Sequence, residues 1–382
     1  HALASCGMSV GCMACGGDME DRGVALCEQR HVAIGAEKQE AGEWSGLSGA
    51  SVLADELSKV YRVAVRKPGF WGSVRQLVAS ETRDVIAVDD VSFSIDQGEF
   101  VGYIGPNGAG KSTTVKMLAG ILHPTSGHVQ VNGLSPARAR QEVAQQIGVV
   151  FGQRTQLWWD LPTVDSFEIL AAMYGVSPAD YRRFMYEFTD LLGLDEFLDT
   201  PVRRLSLGQR MRADIAAALI HRPRVLFLDE PTIGLDVVAK AQVRDFLSRM
   251  NRDHGVTILL TTHDLRDIEE LCHRVMVINH GRLMFDGGLE SLIASAGLPA
   301  TMRLRLSSMT PRLTAGQALG DGLCTIMSVD YSSRSVDLSF DRRKASAAQV
   351  LIAAQELGEV RDVSLVEAGM EETVKWLLTR EG

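Results

Sequence analysis

The eight residues from Gly105 to Ser112, GPNGAGKS, constrain this chain more than any other stretch. They fit G-x-x-x-x-G-K-[ST], and their flanks fit as well. The alternating run VIAVDDVSFSIDQGEFVGYIG ends in an apolar strand, and TTVKMLAGIL follows with helical spacing until HPTSG stops it. Strand, glycine turn and helix form the arrangement that binds nucleotide phosphates. Glycines let the backbone curl so that successive N–H groups point inward, and the helix adds its positive end. Gly105, Asn107, Gly108 and Gly110 are expected to form the cradle. Lys111 would reach the β and γ phosphates, the Ser112 hydroxyl would ligate Mg2+, and Thr113 would contact the phosphates.

A second acidic feature follows at Val225 to Glu230, VLFLDE. A buried apolar strand ending in Asp229 would place a carboxylate beside the magnesium water shell, and Glu230 next to it could orient or deprotonate an attacking water. A strand ending in adjacent acids is also an ordinary sheet terminus. The phosphate loop upstream is what gives this pair its catalytic reading.

At 382 residues the chain exceeds the usual single domain, so one large domain and a smaller one are expected. No window approaches about 18 consecutive apolar residues, which argues against a membrane span. A net charge of -9 argues against a broad footprint on DNA or RNA. Six cysteines are too few and too unevenly placed for a disulfide scaffold. Cys12, Cys15, Cys27 and His31 give C-x2-C and then C-x3-H, a spacing superficially like zinc ligation; a disordered leader over residues 1–50 is the preferred reading.

Beyond the Gly/Ser-rich GEWSGLSGA, SVLADELSKVYRVAV reads as a strand and bend, and KPGFWGSVRQLVASETRD looks inserted. Helical periodicity dominates the section from Val164 to Asp199, which lies within a helical subdomain placed at about residues 154–215. The buried strands RVLFLDE and VTILLTTH then restore an α/β pattern. RVMVINHGRLMFDGG reads as two strands joined at Asn279 to Gly281. From residue 300, TMRLRL and SVDLSF alternate with helix-like SAAQVLIAAQELG, which suggests a small α+β domain over 300–382.

Taken together, GPNGAGKS, Gln153 in VFGQRTQL, LSLGQR at Leu205 to Arg210, VLFLDEP, GLD at Gly234 to Asp236 and His263 in TTHD resemble the ATP-binding cassette (ABC) ATPases in order and approximate spacing. The resemblance covers about Val52 to Leu292. It implies a P-loop NTPase (RecA-like) α/β core with an N-terminal antiparallel β subdomain and a helical signature subdomain, using ATP and Mg2+. It also implies that the phosphate loop of one protomer binds ATP while the signature loop of another closes over the γ phosphate. Tyr61 would stack on adenine, with a strand aromatic packed in its sheet as the alternative. Gln153 would contact Mg2+ and the water, His263 would touch the γ phosphate, and Asp236 would lie at the dimer interface.

LSLGQR departs from the family's usual LSGGQ at Leu207. A glycine position that demanded positive φ would strain leucine by roughly 1 kcal/mol or more. Ser206 and Gln209 nevertheless keep an S-x-x-Q capping pattern at the start of RMRADIAAALI, and Gly208 remains, so the loop is read as working. FGQRTQLWWDLPTVDSFEIL, LSLGQRMRADIAAALIHRP and the C-terminal segment look like a bacterial ABC-2 type subgroup that includes multidrug and viologen export ATPases. That likeness implies separately encoded integral membrane permeases as partners and a second copy of this chain or a similar ATPase. It also implies a peripheral location at the cytoplasmic face of the inner membrane. Two adjacent tryptophans, Trp158 and Trp159, cannot both face one side of a regular element, so at least one is expected to be an exposed anchor for a permease; the alternative has both in the helical core. The main rival function is a soluble ABC ATPase acting on ribosomes or DNA. Against it stand the single motif set and the lack of a long coiled coil between phosphate loop and signature.

Overall fold

The computed structural model describes residues 50–64, 82–152, 154–366 and 369–380. The zinc-like Cys/His pattern, residues 67–81 of the inserted-looking segment and Gln153 lie outside the described residues.

In chain order the elements are β1 (Ala50–Ala64), β2 (Thr82–Asp96), β3 (Phe100–Ile104), α1 (Lys111–Leu118), β4 (Ser126–Val131), α2 (Arg140–Ala144) and β5 (Ile147–Phe151). Next come α3 (Thr163–Met173), α4 (Pro178–Leu192), α5 (Leu207–Leu219), β6 (Val225–Asp229), α6 (Val237–His254), β7 (Thr257–Thr261), α7 (Leu265–Leu271), β8 (Arg274–Asn279), β9 (Arg282–Gly288) and α8 (Leu289–Ala296). The chain closes with β10 (Ala300–Leu306), β11 (Ala318–Leu319), β12 (Cys324–Asp330), β13 (Ser335–Phe340), α9 (Ala347–Ala354), β14 (Val360–Val366) and α10 (Met370–Arg380).

The central sheet runs β5-β6-β7-β3-β8-β9, parallel except for the antiparallel edge strand β9. All five residues of β3 and of β7 are buried, as strands covered on both faces must be, which explains their unbroken apolar runs. Tyr103 of β3 and Asp229 of β6 both pair with Thr261 of β7, so the carboxyl ends of three neighbouring strands come level. Ligands of such sheets bind outside that edge. Strands β8 and β9 are joined through His280 and Gly281, both at positive φ (47° and 81°), the two-residue turn that matches strand twist.

A small antiparallel sheet, β2-β1-β4, flanks the core. Helices α3 and α4 build the helical subdomain, where Phe167, Phe184, Phe188, Leu192 and Phe197 share one apolar cluster with Met211 and Ile215 of α5. A Ser177 cap and proline at its first residue start α4, and Gly193 in the left-handed region ends it.

The third sheet, β11-β12-β13-β10-β14, is antiparallel and encloses its own cluster, with Met302, Leu304, Val336 and Leu338 against Val350 of α9. Helix α10 leaves that sheet and returns to the core: Met370 and Val374 belong to the same cluster as Ile268 of α7 and Leu292 of α8.

Candidate functional site

Helix α1 begins at Lys111 without any side-chain cap, its cap residue being Gly110 at φ 110°. Helices α5, α6 and α9 instead start on Ser206, Asp236 and Ser346, each accepting a backbone N–H. The first helical bond of α1 runs from Thr114 N to Gly110 O, so the N–H groups of Lys111, Ser112 and Thr113 have no partner within the helix. Those donors at the positive end of a helix suit phosphate oxygens. Two glycines are required by packing, and Gly110 by its positive φ as well. A Cβ at Gly105 would lie 2.1 Å from the Ile278 carbonyl oxygen, and one at Gly110 would lie 2.4 Å from that of Ala87. Asn107 and Gly108 are exposed at the mouth of the loop.

Lys111 curls back over this loop, its Nζ donating to the Gly105 carbonyl at 2.7 Å and to the Pro106 carbonyl at 3.1 Å. One of its three donors is left for a phosphate oxygen. Burial pulls the Lys111 pKa below the usual lysine value, while the charges of Glu230 and Asp229 push it back up.

Asp229 Oδ1 accepts from Ser112 Oγ at 3.0 Å and from Thr261 Oγ1 at 2.7 Å. Thr261 in turn holds the next residue: Glu230 N donates to Thr261 O at 2.9 Å and lies 3.2 Å from its Oγ1. Glu230 sits at φ 56°, a left-handed conformation that costs a non-glycine residue on the order of 1 kcal/mol. Its carboxylate Oε2 is 3.3 Å from His263 Nδ1, and its side chain is only 22% exposed while that of His263 is 56% exposed. An acid in strained backbone, half sheltered and reachable by water, is suited to proton transfer.

The donor set also fits a hard dication. Ser112 Oγ and Asp229 Oδ1 are 3.0 Å apart, the separation of adjacent ligands on an octahedral ion with bonds of about 2.1 Å. No group of three or more His, Cys, Asp or Glu able to hold a metal occurs among the described residues.

Lys111, Ser112, Asp229, Glu230 and His263 thus share one network. Ser206, Gly208, Gln209 and Asp236 form a second patch. Ser206 and Gln209 bond reciprocally, Ser206 N to Gln209 Oε1 at 3.0 Å and Gln209 N to Ser206 Oγ at 3.2 Å. Asp236 caps α6 by accepting from Ala239 N at 2.8 Å. Among the described residues, no hydrogen bond or ion pair joins Ser206, Gly208 or Gln209 to residues 105–113. Leu207 is unstrained because its position is the first of a helix, where negative φ is required. Its Cδ2 lies so close over Gly234 that a Cβ there would be 2.8 Å away, which seats the leucine on the GLD turn.

Tyr61 is half-buried on β1, with Lys59 Nζ 5.5 Å from its ring centroid. It pairs with Val85 of β2, the strand whose Ala87 carbonyl, two residues on, abuts Gly110. Trp158 and Trp159 are both partly exposed, at 37% and 50%, and neither fills the helical core. The guanidinium of Arg210 stands 5.8 Å from the Trp159 ring centroid.

Thr261, Asp267 and Asp214 are positioning groups that motif reading passes over. Asp214 is the lone acid in the Ala-rich stretch of α5, and only that oddity marks it in the sequence. Burial pushes its carboxyl up to about 6, against the pull of hydrogen bonds from Thr155 and Gln156 and of the Arg210 charge. Because the folded value lies above the unfolded one, the native state binds more protons between about pH 4 and 6, and stability falls as pH rises through that window. The penalty is complete above it. Asp214→Asn should therefore raise the melting temperature at pH 7.5 by the equivalent of on the order of 2–3 kcal/mol, with the gain shrinking toward pH 4. A gain that did not depend on pH would refute this assignment.

A family model described as ABC transporter matches residues 88–233. The ABC transporter ATP-binding protein NatA of Bacillus subtilis is 35% identical over 55% of this chain and 85% of its own length. The daunorubicin/doxorubicin resistance ATP-binding protein DrrA of Streptomyces peucetius is 34% identical over 75% of this chain and 86% of its own. Among solved structures, the ATP-binding subunit of an ABC transporter superposes with a TM-score of 0.55 at 27% identity, covering 64% of this chain and 93% of that one. A dimeric ATP-binding cassette in a post-hydrolysis state with ADP and Pi gives 0.52 at 26% identity, over 62% and 98%. With an uncapped glycine loop, an acidic strand end and relatives matched over most of their length, this chain belongs to the ATP-binding cassette ATPases of ABC transporters.

Proposed function

We propose that this chain is the ATP-hydrolysing subunit of an ABC-2 type exporter, peripheral at the cytoplasmic face of the inner membrane and docked on separate permease chains. The observation that carries the reading is the division of the site into two patches. The phosphate loop, Asp229, Glu230 and His263 share one network, while Ser206, Gly208 and Gln209 bond among themselves. A complete site then takes the second patch from another copy or a similar ATPase, and nucleotide shared between two chains shifts them toward closure. Export is supported by relatives such as DrrA and a Nod factor export ATP-binding protein I of Burkholderia pseudomallei, 39% identical over 57% of this chain. No helix among the described residues is long and apolar enough to cross a membrane.

Bound Mg2+ and ATP supply the transferable phosphoryl group and the charge that neutralises it. Lys111 and the N–H groups opening α1 hold phosphate oxygens, and Ser112 and Asp229 are the oxygens placed to hold the cation. Glu230 accepts the proton of the attacking water while His263, 3.3 Å away, fixes its carboxylate. Gln153, Tyr61, Thr113 and Asp236 take the roles the family resemblance implies.

Trp158 and Trp159, exposed beside Arg203 and Arg210, are the docking anchors for a permease. The test is to extract the Glu230→Gln protein with ATP from native membranes in mild detergent and identify what copurifies by mass spectrometry. Multi-span proteins should be recovered, and the Trp158→Ala/Trp159→Ala protein should lose them while still binding ATP. Recovery of ribosomal or nucleic-acid proteins instead would favour the soluble rival.

A further inference from the structure

The segment that leads to the two tryptophans is fastened to the helix that starts at Ser206. Thr155 Oγ1 donates to Asp214 Oδ1 at 2.8 Å, and Gln156 N donates to the same oxygen at 3.1 Å. Gln156 Nε2 closes the attachment on the Asp214 carbonyl at 2.9 Å. The Thr155 hydroxyl also accepts from Leu157 N at 3.1 Å, so one carboxylate organises three consecutive residues. Asp214 itself is only 4% exposed.

Two features give this anchor a direction. Asp214 lies eight residues along α5 from Ser206, a rigid lever of about 12 Å. The next residues after the fastened segment are Trp158 and Trp159, and Arg210, whose charge faces Asp214, stands over the Trp159 ring. Loops are normally the compliant parts of a fold, yet this one is bonded to the helix at three points.

We propose that Asp214 is a positioning residue of the transport cycle: its carboxylate ties Thr155 and Gln156 to α5, so that displacement of the Ser206–Gln209 end is delivered to Trp158 and Trp159. The inference rests on the reading of that end as the part engaging nucleotide on a second chain and of the tryptophans as the docking anchors. Asp214 touches no reacting atom.

The test is hydrogen–deuterium exchange of the peptide spanning residues 155–161, with and without Mg2+ and ATP, in the full chain carrying Glu230→Gln. Nucleotide should change exchange in that peptide. With Asp214→Ala added, ATP should still bind by equilibrium dialysis, but the peptide should exchange at one rate whether nucleotide is present or not. Asp214→Asn, which keeps the acceptor oxygen, should restore the difference, and Thr155→Val, which leaves Asp214 in place, should diminish it. A merely structural carboxylate would raise exchange equally in both conditions. The proposal is overturned if the nucleotide-dependent difference survives Asp214→Ala, if that variant loses ATP binding, or if the parent binds ATP with no change in the peptide. Failure of the parent to bind ATP at all would instead sink the assigned function.

Discussion

Glu230→Gln should bind ATP as the parent does, assemble with a second copy, and turn over about 10²–10⁴-fold more slowly, the range contributed by a positioned general base. Glutamine has the same length and branching, so the left-handed backbone at 56° and the contact with His263 are preserved. What disappears is the capacity to take a proton. Single-turnover hydrolysis in the presence of Mg2+ checks the rate, and size-exclusion chromatography with ATP checks the closed dimer. Turnover within a few-fold of the parent would remove Glu230 from the base role. Loss of ATP binding would mean that the residue shapes the loop rather than the chemistry.

Asp267→Ala should produce the largest loss of stability among single changes to the site's surroundings. This carboxylate is fully buried and accepts from Thr232 Oγ1 at 2.6 Å, Thr262 Oγ1 at 3.3 Å and Arg244 Nη1 at 3.0 Å. Removing one partner of a buried, hydrogen-bonded ion pair costs about 3–5 kcal/mol, because the other charge stays where it is. Arg244 keeps Glu270, but Glu270 is 54% exposed and compensates weakly. For a domain of this size the melting temperature should drop by on the order of 10 °C. Activity should fall further than stability alone accounts for, since Thr232 follows Glu230 by two residues and Thr262 precedes His263. Differential scanning calorimetry, alongside hydrolysis measured well below the new melting point, separates the two losses. A shift under about 2 °C would show that Asp267 is dispensable to both loops.

The phosphate loop was readable because its chemistry is local: eight consecutive residues, a strand before and a helix after, carry all the information. The acidic strand end was readable for the same reason. Thr261 and Asp267 were not, because their meaning depends on β6 lying beside β7 and on α7 folding back over both strand ends, which no spacing along the chain reports. Leu207 escapes strain because it is the first residue of a helix, inside the capping box that runs from Ser206 to Gln209. Strain does occur in the site, but at Glu230, where an acid after an apolar strand gives no hint of a left-handed backbone. The exposure of both tryptophans was half anticipated: adjacency forbids a common face within a regular element, but the loop between β5 and α3 turns both outward.

The return of α10 to the core has a consequence for how the protein is made. Met370 and Val374 complete a cluster whose other buried members, from Phe100 to Leu292, are synthesised well before them. Between the two stretches lies the whole third sheet, which has a separate apolar cluster of its own. A ribosome adding about 5–20 residues per second leaves one face of the nucleotide-binding core uncovered until α10 emerges. The core is therefore covered on that side by a helix made after the third sheet. A protein cut short before Met370 is expected to leave apolar surface on α7 and α8 uncovered, the kind of surface that promotes aggregation.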